Sequence, residues 1–282
     1  MTMNRKHFLT AVFFPGILLC CISLCAQEIL FSPEKVTDWL WNYTPDKVSV
    51  SEENGTKVFR VYGYRQLFSV QKFPVETGKA YRLSGEFRAG PGTIPAKFYF
   101  GFSQFAEKGR LINSPQVNIL PGTDAVLLSD VAKSDTVVFL DSGANWKKGG
   151  FVVFGARKDL SDLPNFRIAK GTVSSVEIKD GVVKLTLSRP AGLEAGKGTG
   201  VREHFPGGNY HYAGALNETA PREWTGFEGI ISGFASSGLP REKWWPGAES
   251  VSVLILANYR GPKESVLEFR NLKFEMIKKE NH

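Results

Sequence analysis

Cysteine is scarce in this chain. Only three occur among 282 residues, and Cys20, Cys21 and Cys25 all fall within the first 26 positions. If that segment is removed as a leader, the mature chain has no thiol. Disulfides, cysteine nucleophiles and thiolate metal sites are then excluded. An exported chain without disulfides must be held by core burial, which about 255 residues can supply. Histidine is nearly as rare: of four, only His204 and His211 lie in the body of the chain. No stretch sustains a helical period, and "PEKVTDWLW" is at most one short helix. H-E-x-x-H, G-x-S-x-G and phosphate-loop motifs are absent. The basic residues form no arginine-rich or lysine-rich run, which argues against nucleic acid as a partner.

The first 26 residues read as a secretory signal peptide: Arg5 and Lys6, then the apolar "LTAVFFPGILLCCISLC", then the polar boundary "AQE". The apolar run is interrupted by Pro15 and is short for a membrane span. Cleavage is expected after Ala26, with Cys25 as the rival position, and lipid anchoring at Cys25 is the less favoured alternative. The expected location is outside the cytoplasm: secreted, periplasmic or at the cell surface. Losing Arg5 and Lys6 lowers the basic count from 35 to 33 against 28 acidic residues, so the formal charge falls from +7 to +5. A mild preference for acidic glycans is compatible with that balance.

What remains is rich in short alternating segments. In "AYRLSGEFRAG", Tyr81, Leu83 and Phe87 point one way, and Arg82, Ser84, Glu86 and Arg88 the other. "AKFYFGF" puts Phe98, Phe100 and Phe102 on one face, with Lys97 and Tyr99 opposite. Such strands belong to antiparallel sheets covered on one side. Asn54-Gly55 and Asp180-Gly181 tolerate positive φ at both turn positions and predict tight hairpins. In "VLEFRNLKFEMI" the apolar phase shifts, predicting a β-bulge near Arg270-Asn271. The class is all-β.

Residues 28–112 and 223–278 are expected to form one discontinuous sandwich, with residues 115–222 inserted as a small β-barrel-like domain. The reason is "VSVLILA", apolar on both faces, which needs neighbours that the short C-terminal piece cannot provide alone. The alternative is three consecutive small units.

"FPVETGKAYRLSGEFRAG", followed by an aromatic strand, and the closing "VLEFRNLKFEM" resemble the jelly-roll carbohydrate-binding modules of secreted bacterial glycoside hydrolases. The resemblance covers about half of the chain and is one of pattern. It implies a jelly-roll-like sandwich and a saccharide ligand, polysaccharide or oligosaccharide, and assigns no specific site. In that family the last strand usually carries an acidic residue and a valine where this chain has Asn271 and Leu272. The acidic residue often helps hold a structural calcium ion, the one cofactor the resemblance admits.

Two stretches could carry function. The first is "REHFPGGNYHYAG", residues 202–214. A two-residue turn at Gly207-Gly208 would oppose Phe205 to Tyr210 and His204 to His211. Directly opposed Cβ atoms lie about 4.5–5.5 Å apart. Arg202, His204 and His211 would then share one face, and Glu203, Phe205, Tyr210 and Tyr212 the other. A metal pair, a lyase acid–base pair, a polar ligand-contact hairpin and a merely structural hairpin are all compatible with that pattern. The metal reading lacks a third ligand. The lyase reading needs a bulge, because Tyr210 and His211 point to opposite faces of a regular strand.

The second is "REKWWPGAE", where Trp244 and Trp245 lie between Pro240 and Pro246. An exposed indole is a natural platform for a pyranose ring, and one packed ring beside one partly exposed ring is expected. Trp39 and Trp41 are expected to pack in the core. "NYT", "NGT" and "NET" fit the N-glycosylation pattern. Three function classes therefore stand: a non-catalytic carbohydrate-binding protein, a polysaccharide lyase or other glycan-active enzyme, and a structural surface protein without a small ligand.

Overall fold

A computed structural model of the chain describes residues 28–41, 47–141 and 145–277. The expected leader with Cys25, Asn42 of the "NYT" pattern and the side chain of Trp41 lie outside the described residues. The two dipeptides predicted to turn do so with positive φ at both positions: 51° and 76° at Asn54 and Gly55, 50° and 79° at Asp180 and Gly181.

The first part of the chain forms β1 (Glu28–Phe31), β2 (Trp39–Trp41), β3 (Val48–Glu53), β4 (Thr56–Tyr62), β5 (Arg65–Ser69), β6 (Phe73–Pro74), β7 (Ala80–Ala89), β8 (Lys97–Ala106) and β9 (Arg110–Ile112). After one helical turn, α1 (Ser114–Val117), come β10 (Ala125–Val126), β11 (Val137–Leu140), β12 (Phe151–Phe154), β13 (Ile168–Lys179), β14 (Val182–Leu187) and β15 (Gly200–His204). The last four are β16 (His211–Thr219), β17 (Thr225–Ser232), β18 (Ser250–Tyr259) and β19 (Val266–Ile277).

These strands make three antiparallel sheets. The first has the order β17-β7-β19-β4-β3, with β1 beside β19 so that Glu28 opposes Met276. The second has the order β16-β8-β18-β5-β2, with β6 beside β18 and β9 beside β8. The third runs β10-β15-β12-β13-β14-β11.

The first two sheets stack into a sandwich because their alternation gives each an apolar inner face. Phe59, Phe87 and Phe269 of one meet Phe98, Phe100 and Phe102 of the other in a single core. The Phe87 and Phe98 rings stack at 4.8 Å. Burial of each such ring contributes roughly 1.5–3 kcal/mol. As the apolar run implied, β18 is central, flanked by β8 and β5, and buried from Val251 to Asn258. The register of β19 slips between Arg270 and Lys273, with Asn271 at φ 50°, where the bulge was expected.

The third sheet has its own core around Leu140, Trp146, Phe154, Leu185 and Val201. It is not a closed barrel. Its edge strands meet at the bridge Leu127–Leu140, through Leu128 N to Phe139 O at 2.9 Å and Asp141 N to Val126 O at 3.1 Å. With two residues, β10 is too short to carry a continuous ladder. One strand within the expected 115–222 insertion lies elsewhere: β16 pairs with β8 in the second sheet. Among the described residues, no helix is long and apolar enough to cross a membrane.

Candidate functional site

The expected hairpin at Gly207-Gly208 does not form. β15 pairs with β10 and β12 of the third sheet, whereas β16 pairs with β8 of the second. Residues 205–210 are therefore a crossing between sheets. Tertiary pairing outweighed the local turn signal, and the two histidines go to separate environments.

His204 is buried on β15. Its Nδ1 lies 2.7 Å from the Pro115 carbonyl, so Nδ1 carries the proton, and Nε2 accepts from Arg202 Nε at 3.2 Å. Burial, then the Arg202 charge, brings its pKa down to about 4. His211 points into the sandwich core beside Trp244, with ring centroids 5.6 Å apart. Its Nε2 donates to the Arg241 carbonyl at 2.8 Å, and burial again lowers its pKa to about 4. Both imidazoles are neutral and fixed in tautomer at pH 7, each pledging its one N–H to a main-chain carbonyl.

Arg202 is fully buried and spends its guanidinium on Asp162 at 2.8 Å, the Arg157 carbonyl at 3.1 Å and Asp124 at 3.5 Å. Glu203 is buried with Oε2 accepting from Lys147 N at 2.8 Å, and burial pushes its carboxyl up to about 7. Of the expected shared face, Arg202 and His204 stay together on β15 while His211 lies apart in the sandwich core.

The tryptophan platform is also corrected. Trp244 and Trp245 are 0% and 2% exposed and belong to the sandwich core. Trp244 meets Phe102 at 5.2 Å and Tyr81 at 5.5 Å, and Trp245 N donates to Gln104 Oε1 at 2.9 Å. The loop that looked exposed between two prolines instead plugs the sandwich, because large rings gain most when fully desolvated.

The remaining two candidates, Tyr210 and Tyr212, meet on the outer face of the second sheet. β8 presents Tyr99 on that face because Phe98 and Phe100 face inward. β5 presents Gln66 and Phe68 there, alternating with the core residue Leu67. In β18 the register shifts between Leu256 and Tyr259. Asn258, at φ 52°, turns its amide inward to the Val61 and Gly63 carbonyls, each at 2.9 Å. Tyr259 comes to lie beside Tyr99, with ring centroids 5.2 Å apart.

Gly101 admits β16 to this face. A Cβ there would sit 2.0 Å from the His211 carbonyl oxygen and 2.7 Å from Tyr212 Cα. The close approach sets the Tyr212 ring 4.7 Å from Tyr99. Tyr210 joins Phe68 at 5.8 Å and Tyr212 at 6.2 Å, and Tyr64 joins Tyr259 at 5.7 Å. Leu254 and Leu256 face the same side and are nevertheless buried.

The result is one connected field of six rings. Burial raises the Tyr99, Tyr210 and Tyr212 phenols above their ordinary range, with neighbouring tyrosines adding to the shift. Tyr64 Oη accepts from Gln66 Nε2 at 2.5 Å, and Tyr99 Oη donates to Asn217 Oδ1 at 3.1 Å. At the Tyr64 end a cleft of about 710 Å³ opens, lined by Lys47, Tyr62, Tyr64, Arg65, Lys263 and Glu264 among others.

Tyr64, Phe68, Tyr99 and Tyr259 were missed as functional candidates. The outward position of Tyr99 was legible in the β8 alternation. Nothing in the linear sequence places it against residues more than a hundred positions away. Among the described residues, no group of three or more His, Cys, Asp or Glu side chains could hold a metal ion.

The outer face of the first sheet differs in kind. Glu268, 1% exposed, stands directly opposite Arg60 and Arg88. Its Oε1 accepts from Arg60 Nε at 2.5 Å and its Oε2 from Arg88 Nε at 2.6 Å, with Glu53 bridging both arginines. The Arg60 pKa is raised, chiefly by the Glu268 hydrogen bond. Arg270 Nε donates to Glu86 at 2.6 Å, and the Arg88 and Arg270 guanidinium groups each lie 4.3 Å from the Trp224 ring centroid.

The fold thus defines an all-β sandwich carrying a third antiparallel sheet and one aromatic outer face. No protein-family model matches the chain, and no curated protein sequence matches it.

Proposed function

We propose that this is an exported, non-catalytic carbohydrate-binding protein that holds a saccharide chain on the tyrosine face of its second sheet. The observation that carries the reading is the field formed by Tyr64, Phe68, Tyr99, Tyr210, Tyr212 and Tyr259. The C–H faces of pyranose rings stack on aromatic rings, and phenol hydroxyls supply the polar contacts that orient them. The adjoining cleft, about 710 Å³, is of a size that holds small ligands. The resemblance of the chain's outer portions to jelly-roll carbohydrate-binding modules points to the same ligand class, and the leader-like N-terminus accounts for export.

The test is calorimetric titration of the full chain with neutral oligosaccharides chosen from a glycan array, comparing wild type with the Tyr99→Ala, Tyr212→Ala double variant. Binding by wild type and at least tenfold weaker binding by a folded double variant are expected. A folded double variant that binds as well as wild type overturns the assignment to this face. Release of unsaturated sugars during incubation, read as ultraviolet absorbance, would replace it with a lyase.

A further inference from the structure

The segment between β12 and β13 is held down at several points. Asn165 donates its side-chain amide to the Phe154 carbonyl at 3.1 Å and its main-chain N–H to the Gln116 carbonyl at 2.9 Å. Phe166 packs against the sandwich core. Pro164 sits so close to Gly247 that a Cβ there would lie 2.3 Å from its Cδ. Together with Arg110 of β9, this segment surrounds a cleft of about 700 Å³ between the third sheet and the sandwich.

Its charge is one-sided. Arg110, Arg157 and Arg167 line the cleft, and Asp162 is the only carboxylate in the lining. Asp162 is already engaged: Oδ2 accepts from the buried Arg202 at 2.8 Å and from Asn165 at 3.0 Å, and Oδ1 accepts from Arg157 N at 3.0 Å. Behind the wall, Arg202 pairs more closely with Asp162, at 2.8 Å, than with its second carboxylate, Asp124, at 3.5 Å.

Among the described residues no salt bridge within 4 Å holds Arg110, Arg157 or Arg167, and the exposed Asp159 acts on Arg157 only from beyond that distance. Arg110 lies 3.6 Å over the Phe166 ring, which orients its fork and leaves the N–H edges without an ion pair among the described residues. Arg157 donates to Ser161 Oγ at 3.3 Å and Arg167 to the Glu194 carbonyl at 3.0 Å, both neutral acceptors. The nearby Asp159 accepts from the Ser161 N–H at 3.1 Å and hydroxyl at 2.8 Å.

We infer that this arginine cleft is a binding site for an oxyanion: a sulfate ester, a phosphate ester or a carboxylate carried by a ligand. Guanidinium groups match such anions through paired N–H donors, and three of them around one cleft focus the field on it. The site is separate from the tyrosine face and does not depend on it. Only the idea that a saccharide carries the anion rests on the reading above.

The test titrates the full chain with sodium sulfate, sodium phosphate and sodium acetate at ionic strength held constant with chloride, followed by chemical-shift changes of the arginine side chains. A sulfated disaccharide and its unsulfated parent form a second arm that separates a free ion from a saccharide-borne one. Saturable shifts in Arg110, Arg157 and Arg167 are expected for at least one anion. The Arg157→Gln, Arg167→Gln double variant should bind at least tenfold more weakly, with unchanged circular dichroism and unchanged neutral-saccharide binding. Should that double variant fail to fold, Arg110→Gln alone is expected to weaken anion binding about threefold. No saturable response in wild type, or the same response in the folded variant, overturns the site. Either result leaves the tyrosine face untouched, whereas loss of neutral-saccharide binding in wild type would sink that face alone.

Discussion

The two outer faces of the sandwich arise from the same pleat and end in opposite states. On the first sheet, three outward arginines find a carboxylate across the strand: Arg60 and Arg88 on Glu268, Arg270 on Glu86. Those groups spend their hydrogen-bonding capacity on one another. On the second sheet, the outward positions include six aromatic rings and the buried Leu254 and Leu256, with Tyr64 38% exposed. A charge ladder satisfies itself and stabilises the fold, while a field of rings leaves apolar surface in water that another molecule can cover. An outward alternation therefore identifies an outer face without saying whether that face is available for binding.

The sharpest way to break this contrast is Glu268→Ala. It leaves two half-buried arginines with only Glu53 as a carboxylate partner, and a loss of about 1–3 kcal/mol is expected from urea denaturation. Saccharide affinity of the folded fraction should not change. If affinity falls along with stability, the two faces are not independent.

Acid should act behind the other face, in the core. The folded pKa of His211, about 4, lies below its ordinary 6.5, so the unfolded chain takes up the proton first. The stability it contributes is present above pH 6.5 and lost as pH falls towards 4, on the order of 3 kcal/mol. His204 behaves alike. Glu203 has the opposite sign. Its carboxyl is raised to about 7, so its contribution is present below 4.5 and fades as pH rises to 7. Two histidines against one glutamate give a net loss between pH 6.5 and 4.5. Glu203→Gln should raise stability at pH 7 and steepen the acid loss, seen in urea midpoints at pH 7, 6 and 5. An unchanged slope would contradict the burial assigned to Glu203. Because His211 lies between Tyr210 and Tyr212, saccharide binding should weaken over the same acid range.

Smaller effects sharpen the comparison. Tyr64→Ala removes an edge ring and should weaken saccharide binding about fivefold to tenfold, roughly 1–1.4 kcal/mol, with little change in melting temperature. Trp224→Ala on the charged face removes the ring beneath Arg88 and Arg270. It should cost roughly 0.5–1 kcal/mol of stability with no effect on binding, measured by thermal melts and calorimetry in parallel.

Local chemistry made much of the fold legible. The Asn-Gly and Asp-Gly turns, the alternation in β7 and β8, the doubly apolar β18 and the slip at Arg270-Asn271 each depend on neighbours within a few residues. The candidate site was harder to read. Gly207-Gly208 looks like a hairpin turn, but β15 finds its partners in β10 and β12 and β16 finds its own in β8. Trp244 and Trp245 sit in a loop of exposed appearance, yet Tyr81, Phe102 and His211 arrive from distant strands to bury Trp244. Tyr210 and Tyr212 were selected for their place in a hairpin that does not exist. Their partners come from β5, β8 and β18, and only long-range pairing gathers them.

The antiparallel pairing of β1 with β19 puts Glu28 opposite Met276. Sequence attached before β1 and sequence attached after β19 therefore set out from one corner of the first sheet, with the tyrosine rings on the other layer. A short Gly-Ser linker should splice these two strands, and new termini opened in the exposed turn at Asp180-Gly181 should give a circular permutant that retains the same three sheets.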